Sequence, residues 1–264
     1  SLTAGSTYDW MLDSPSNFAG TSYGVGNYCV LNPLSGTSGS VVNGNLYYAG
    51  GSAYMSRSGT ISFPTSGKFY YEVTIASAPY TPRGASSAYN WIGFGLTTNF
   101  SVAVSPNGNN VNAVMLGDNG YVNNFTTTIT DTGSTIVNGD VIGLAIDTTA
   151  NTYTFYKNNS SIATGTIGVA AGTSLAPFQI SYDASYGAMQ VNFGQRPFAY
   201  TPPSGYRSLC TQNLPAASIT NGAQYMAATL YTGTGSTNLT VSNATFQPDF
   251  VWIKKRGQIG RAHV

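Results

Sequence analysis

Hydrolysis, nucleophilic attack and metal activation all need carboxylates, histidine or cysteine at workable spacings, and this chain holds few of them. Glu72 is the one glutamate, on the run GKFYYEVTI, facing opposite to Tyr71 and Val73. Asp118, Asp131, Asp140, Asp147 and Asp183 lie in Gly-, Thr-, Asn- or Ser-rich text, where an Asp usually hydrogen-bonds its own backbone in a turn. Glycoside hydrolysis asks for two carboxyl groups facing each other, roughly 5 to 9.5 Å apart, and carboxylates scattered over separate turns do not meet that demand. A Ser or Cys nucleophile needs a nearby base, usually His, and His263 is the only histidine. Cys29 and Cys210 lack metal-ligand spacing,. No GxSxG elbow, phosphate-binding loop, HExxH or paired CxxC occurs, and the text Asp118-Asn119-Gly120 lacks the spaced acidic ligands of a calcium loop,. The expectation is a protein that is not an enzyme and uses no cofactor and no metal.

His263 falls in IGRAHV, residues 259–264. The codons ATC GGA AGA GCA CAC GTC spell those residues and also spell a common sequencing adapter. The segment is read as an artefact of environmental sequencing that cuts the gene off mid-domain, so these residues are expected to pack against nothing. Ser1 in place of Met points the same way, to a fragment or a processed product.

Charge narrows the function classes. Only 7% of the 264 residues are charged and the net charge is +1, against roughly 25% charged in an ordinary domain. There is no basic field for phosphates, so nucleic acid is not an expected partner. With 13% aromatics, 19 of them Tyr, the chain has ample surface for a core and is not disordered by composition,. No run of 18 apolar residues occurs, so membrane insertion is not expected, and SLTAGSTYDW lacks the zones of a signal peptide,.

The elements that must position any site are strands. Period-two alternation with turn signals at short intervals predicts an all-β sandwich, with no convincing helix. GKFYYEVTI sets Phe69, Tyr71, Val73 and Ile75 on one face, and WIGFGL sets Ile92, Phe94 and Leu96 against bare Gly93 and Gly95. GDVIGLAIDTTANTYTFYKNNSSI reads as strands around turns at 148–151 and at Asn158-Asn159, two residues suited to positive φ,. LAPFQISYD and GAMQVNFGQ follow around a loop at 183–186, and the prolines of RPFAYTPPSGYRSL imply an extended wrap over the sandwich edge,. The shared phase puts Phe69, Tyr71, Val73, Phe94, Leu144, Ile146, Phe155, Ile180, Val191 and Phe193 in one core.

These strand texts, in this order, resemble a SPRY domain, a two-sheet antiparallel concanavalin A-like β-sandwich of jelly-roll type, over residues 35–209. The most specific parts are the GDVIGLAID…FYKNN hairpin and the closing NFGQRPF, with Asn159 where the family usually has Gly. YDWMLDSPSN, GNYCVLNPLSG, NLPAASI and FQPDFVWIKKR in the flanks are similar to tail-fibre and other structural proteins of marine bacteriophages. The implied domains are a lead segment 1–34 packing on the sandwich, the sandwich 35–209, the truncated start of a second β-module 210–258, and the artefact 259–264. The resemblance implies a non-enzymatic virion protein of a tail or appendage, made in the host bacterial cytoplasm. Its expected partners are a host cell-surface glycan or protein and other virion proteins. Tail appendages are commonly trimeric, which makes a homotrimer one expected assembly, and assembly in a reducing cytosol implies free thiols at Cys29 and Cys210.

Binding is expected at loops where Tyr, Asn and Arg collect rather than on strand faces, which are read as core or as a Ser- and Thr-rich exterior. The candidates are Tyr80, Arg83, Tyr89, Asp118, Tyr121, Asn123, Tyr182 and Tyr186, since loop Tyr offers a rigid contact surface with a polar tip. Two rival readings remain. One is a concanavalin-like polysaccharide depolymerase, and the other is a cellular SPRY adaptor that recognises a short peptide.

Overall fold

A computed structural model describes residues 27–35, 40–49, 55–77, 92–98, 113–123, 129–170, 172–181, 187–215, 219, 221–235, 238–242, 244–254 and 262–263. The chain divides into two compact units, Ser1–Leu214 and Pro215–Val264. The strands of the first unit are β1 Ser40–Val42, β2 Tyr47–Ala49, β3 Met55–Ser58, β4 Lys68–Ser77, β5 Ile92–Thr97, β6 Ala113–Gly117, β7 Tyr121–Asn123, β8 Ile129–Asp131, β9 Val141–Asp147, β10 Thr152–Lys157, β11 Ser160–Thr166, β12 Ala176–Ser181 and β13 Ala188–Asn192. They form a seven-stranded sheet, β1-β2-β13-β4-β9-β10-β11, and a six-stranded sheet, β3-β12-β5-β6-β7-β8. Every pairing is antiparallel. Helix among the described residues is limited to 3-10 turns at Thr211–Asn213 and Gly222–Gln224.

Local chemistry sets the turns. Asn151, Asn158 and Asn159 all have positive φ, at 57°, 47° and 71°, a region Asn tolerates better than other residues with a Cβ. The Asn158-Asn159 turn joins β10 to β11, whose register shifts between Phe155 and Tyr156. The Asn158 side chain accepts from the Val141 N–H at 2.9 Å and donates to Asp140 at 2.8 Å, tying the turn to the start of β9.

Between the sheets, Phe69, Tyr71, Val73, Leu144, Ile146, Phe155, Val191 and Phe193 form one buried cluster with Leu96, Val114, Leu116 and Val122 of the smaller sheet. The two sheets therefore share one core, and the fold is the two-sheet antiparallel sandwich that the strand texts predict. Tyr71 stitches it by donating its hydroxyl to the Gly95 carbonyl at 2.8 Å. The chain also enters this core before β1 and after β13, through Cys29, Leu31 and Leu209. Tyr28 pairs with Cys210 in an antiparallel bridge. Because side chains alternate along a strand, Cys29 projects to the face opposite Cys210, and both thiols are unpaired and buried.

Two expectations need correction. Ile180 is buried, but it clusters with Phe178 and Met115 on the far face of the smaller sheet rather than between the sheets. The register explains this: Gln179 lies beside Phe94 and Phe94 beside Leu116, so Gln179 faces the inter-sheet core while Phe178 and Ile180 face away. The backbone of Phe94 takes its place in β5, although its side chain lies outside the described residues. The terminal segment is also not free of structure, because β15 (Ala262–His263) pairs with β14 (Ile253–Lys254). A ladder forms wherever two extended backbones meet, whatever the origin of their side chains.

Within the second unit, that ladder and the turn at Gly222–Gln224 are the regular elements among the described residues. Tyr225, Met226, Leu230, Phe250 and Trp252 are each about two-thirds exposed or more.

Candidate functional site

Strand register assembles one end of the sandwich. In the larger sheet Ala188 opens β13 and pairs with Ala49, the end of β2, and with Ser77, the end of β4. In the smaller sheet Ser181 ends β12 and pairs with Met55 and Ile92, the first residues of β3 and β5. Gly93 pairs with Gly117, the last residue of β6. Three connections join the first row to the second: Ala49 to Met55, Ser77 to Ile92, and Ser181 to Ala188.

Tyr80, Arg83, Tyr89, Tyr182 and Tyr186 belong to two of these connections and lie outside the described residues. The strand ends that flank them are neighbours in the sheets. Asp118 follows Gly117 directly, in the turn to β7 that the Gly120 N–H closes on the Gly117 carbonyl at 3.0 Å. Topology therefore brings the Tyr80–Tyr89, Asp118 and Tyr182–Tyr186 segments out of β4, β5, β6, β12 and β13 at adjacent strand ends.

Tyr121 and Asn123 are corrected, because they sit on strand β7 and not in a loop. The turn at Asp118–Gly120 is too short to carry them. Gly120 has φ +80°, and a Cβ there would lie 1.6 Å from the Ser134 carbonyl oxygen. Asn119 accepts from the Tyr121 N–H at 3.1 Å, and pairing resumes at Tyr121 opposite Asp131. Asp118 and Asn123 are buried, at 1% and 6% exposure, while Tyr121 is half-buried. Asn123 pairs with Met115 and shares its face.

Sequence reading missed two polar residues just inside this end. Arg57 and Gln179 are cross-strand partners on β3 and β12, exposed by 5% and 1%. Arg57 donates to the carbonyls of Ser35 and, at 3.2 Å, Ser56. Both polar atoms of the Gln179 amide lack a hydrogen-bond partner. A buried amide is normally satisfied, which makes Gln179 a polar exception on the inter-sheet face, two residues inside the end of β12. Polar residues in phase with apolar strand positions were the available signal.

Four of the described carboxylates, Asp131, Asp140, Asp147 and Glu72, are engaged in holding turns and strands. Asp131 accepts from the Gly133 N–H at 2.8 Å, Asp147 from the Ala150 N–H at 2.8 Å, and Asp140 from the Val137 N–H at 2.8 Å. Asp140 also pairs with Lys157 at 3.1 Å and Asp147 with Lys68 at 3.5 Å. Glu72 is buried and accepts from the N–H groups of Ala199 at 2.7 Å and Tyr200 at 3.0 Å and from the Tyr70 hydroxyl at 3.1 Å. It thus clasps the Pro-rich wrap to the outside of β4. Among the described residues no three His, Cys, Asp or Glu side chains gather as metal ligands, and no helix is long and apolar enough to cross a membrane.

No protein-family model and no curated protein sequence matches the chain. Among solved structures it is similar to the SPRY domain of human HERC1, with a TM-score of 0.48 and 18% identity, over 61% of this chain and 96% of that one. It is similar also to a human SPRY domain, with a TM-score of 0.48 and 17% identity, over 62% and 99%. A third similar structure is the TRIM65 PSpry domain, with a TM-score of 0.46 and 12% identity, over 63% and 92%.

Proposed function

We propose that the chain is a non-catalytic binding protein of a phage tail fibre or appendage, which presents the connection-bearing end of its sandwich to a host-surface glycan or protein. What carries this reading is the adjacency of the strand ends that flank Tyr80, Arg83, Tyr89, Tyr182 and Tyr186, with the Asp118 turn beside them. Residues far apart in sequence thereby leave from one edge of a rigid scaffold, the usual arrangement of a binding surface. The partners of Asp131, Asp140, Asp147 and Glu72 favour binding over hydrolysis, since each of these carboxylates has a structural task.

The test is adsorption of the labelled full chain to a panel of marine bacterial cells. Retention on at least one strain is expected, reduced by Tyr89→Ala and by Tyr186→Ala at unchanged melting temperature, and little altered by salt because few charges take part. Retention on no strain, or normal adsorption by both variants, overturns the proposal. Release of reducing sugar from the cells would favour the depolymerase, and capture of a short peptide in place of cells would favour the cellular adaptor.

A further inference from the structure

The outer face of the seven-stranded sheet carries a second constellation. Register sets Glu72, Gly143 and Tyr156 side by side across β4, β9 and β10, with Tyr70, Ala145 and Thr154 in the adjoining row. Residues directly opposite in antiparallel strands share a face, and glycine and alanine leave room at the middle of this one that Tyr70 and Phe198 of the wrap fill, their rings 5.0 Å apart, so the open part of the face lies at its margins. Tyr70 lies across the middle: a Cβ at Gly143 would meet the Tyr70 hydroxyl at 2.3 Å and its ring at 2.8 Å. The wrap contributes Tyr200, whose N–H is bonded to Glu72, and Tyr206, whose ring centroid is 5.7 Å from Lys68 Nζ. Thr154 and Thr164 hydroxyls are 3.1 Å apart at the far margin.

The phenols feel one another. Burial first, then Glu72, Tyr156 and Tyr200, hold the Tyr70 hydroxyl above the usual tyrosine range. Burial first, then Asp147 and Tyr156, do the same to Tyr206. Tyr156, Tyr200 and Tyr206 are only half-buried, so part of each ring stays open.

We propose that this face binds a neutral oligosaccharide, stacked on Tyr156 and Tyr206 and hydrogen-bonded through the neighbouring threonine and tyrosine hydroxyls. The C–H face of a sugar ring packs on an aromatic ring as other apolar surfaces do, and phenol and threonine hydroxyls both donate and accept, as sugar hydroxyls require. Charge argues for a neutral ligand. Lys68 and Asp147 offset each other at 3.5 Å, and Glu72 is buried beneath its three donors rather than presented to a ligand. This surface is independent of the sandwich end invoked above.

Calorimetric titration of the full chain with cellohexaose, laminarihexaose, mannohexaose and a galactan-derived hexasaccharide, beside hexagalacturonate as the charged counterpart, tests it. At least one neutral hexasaccharide should bind, its affinity falling about tenfold or more in Tyr156→Ala and in Tyr206→Ala, a change equivalent to at least one stacking contact. Tyr156→Phe, which keeps the ring, should retain most of the binding, and both alanine variants should melt cooperatively. Binding of no neutral hexasaccharide, preference for hexagalacturonate, or unchanged affinity in both alanine variants overturns the proposal.

Discussion

In the seven-stranded sheet, β10 alternates half-buried and buried residues along Thr152–Lys157, and β13 does nearly the same, while β4 and β9 between them are buried along most of their length beneath the wrap. In the six-stranded sheet every residue from Val114 to Gly117 and from Ala176 to Ile180 is buried. A strand with one wet face advertises its orientation, because a slip by one residue would turn its apolar set to solvent. A strand covered on both faces gives no such signal, and there Gln179 could turn inward while Phe178 and Ile180 turned out. Covering both faces is the harder arrangement to read and the more sensitive to polar errors.

The difference can be broken or sharpened by experiment, and the largest effect should come from alkali. Buried phenols sit on the larger sheet. Burial holds Tyr71 well above its usual range, with the Cys29 thiol a lesser cause; burial and then Glu72 do so for Tyr70, and burial for Tyr153. Burial also pushes Cys29 up to about 12. Raised values in the fold mean that the neutral forms are favoured there. Their stabilisation is intact below the ordinary thiol and phenol values, near 9 and 10, and is lost as pH rises through the folded-state values. Urea midpoints should hold to about pH 9, decline beyond it and collapse around or above pH 12, with hydrogen-exchange protection in β4, β9 and β10 failing first. Full phenol ionisation, read by ultraviolet absorbance, without unfolding would contradict the burial.

Next in size are core truncations in both sheets. Phe155→Ala and Phe178→Ala should each cost about 3 to 5 kcal/mol by urea denaturation. A cost below about 1 kcal/mol for Phe178→Ala, the scale of a surface change, would show that the outer cluster of the smaller sheet is no core at all.

Glu72→Ala should follow at about 2 to 3 kcal/mol, since it leaves the N–H groups of Ala199 and Tyr200 without their acceptor,. Limited proteolysis should then cut first in 197–206. The smallest effect should come from Gln179→Met, which removes an amide with neither polar atom bonded and should be neutral or stabilising by about 1 kcal/mol. A loss of 2 kcal/mol or more would mean that the amide is satisfied in solution.

Much of the larger sheet was legible because its signals are local. Alternation in β4 and β10, and Asn158-Asn159 at a turn that needs positive φ, can be read from a dozen residues at a time. The rest depended on distant text. Glu72 looks like a lone candidate acid until the chain 127 residues later supplies its donors. Tyr156, Tyr200 and Tyr206 mean little singly and come together only through register and the wrap. Of the loop candidates, Tyr121 and Asn123 were misplaced because a turn closed by Gly120 is shorter than its polar composition suggested.

The position of β13 between β2 and β4 also governs the order in which the chain can fold. Until Ala188–Asn192 leaves the ribosome, the earlier strands face each other across a gap one strand wide. The closing bond from the Asn27 N–H to the Thr211 hydroxyl spans 184 residues. Such long-range pairing is slow, and exposed strand edges invite association with other chains. Nearly the whole first unit must therefore be synthesised before its larger sheet can seal, so a nascent chain that stalls short of β13 presents two open edges at once.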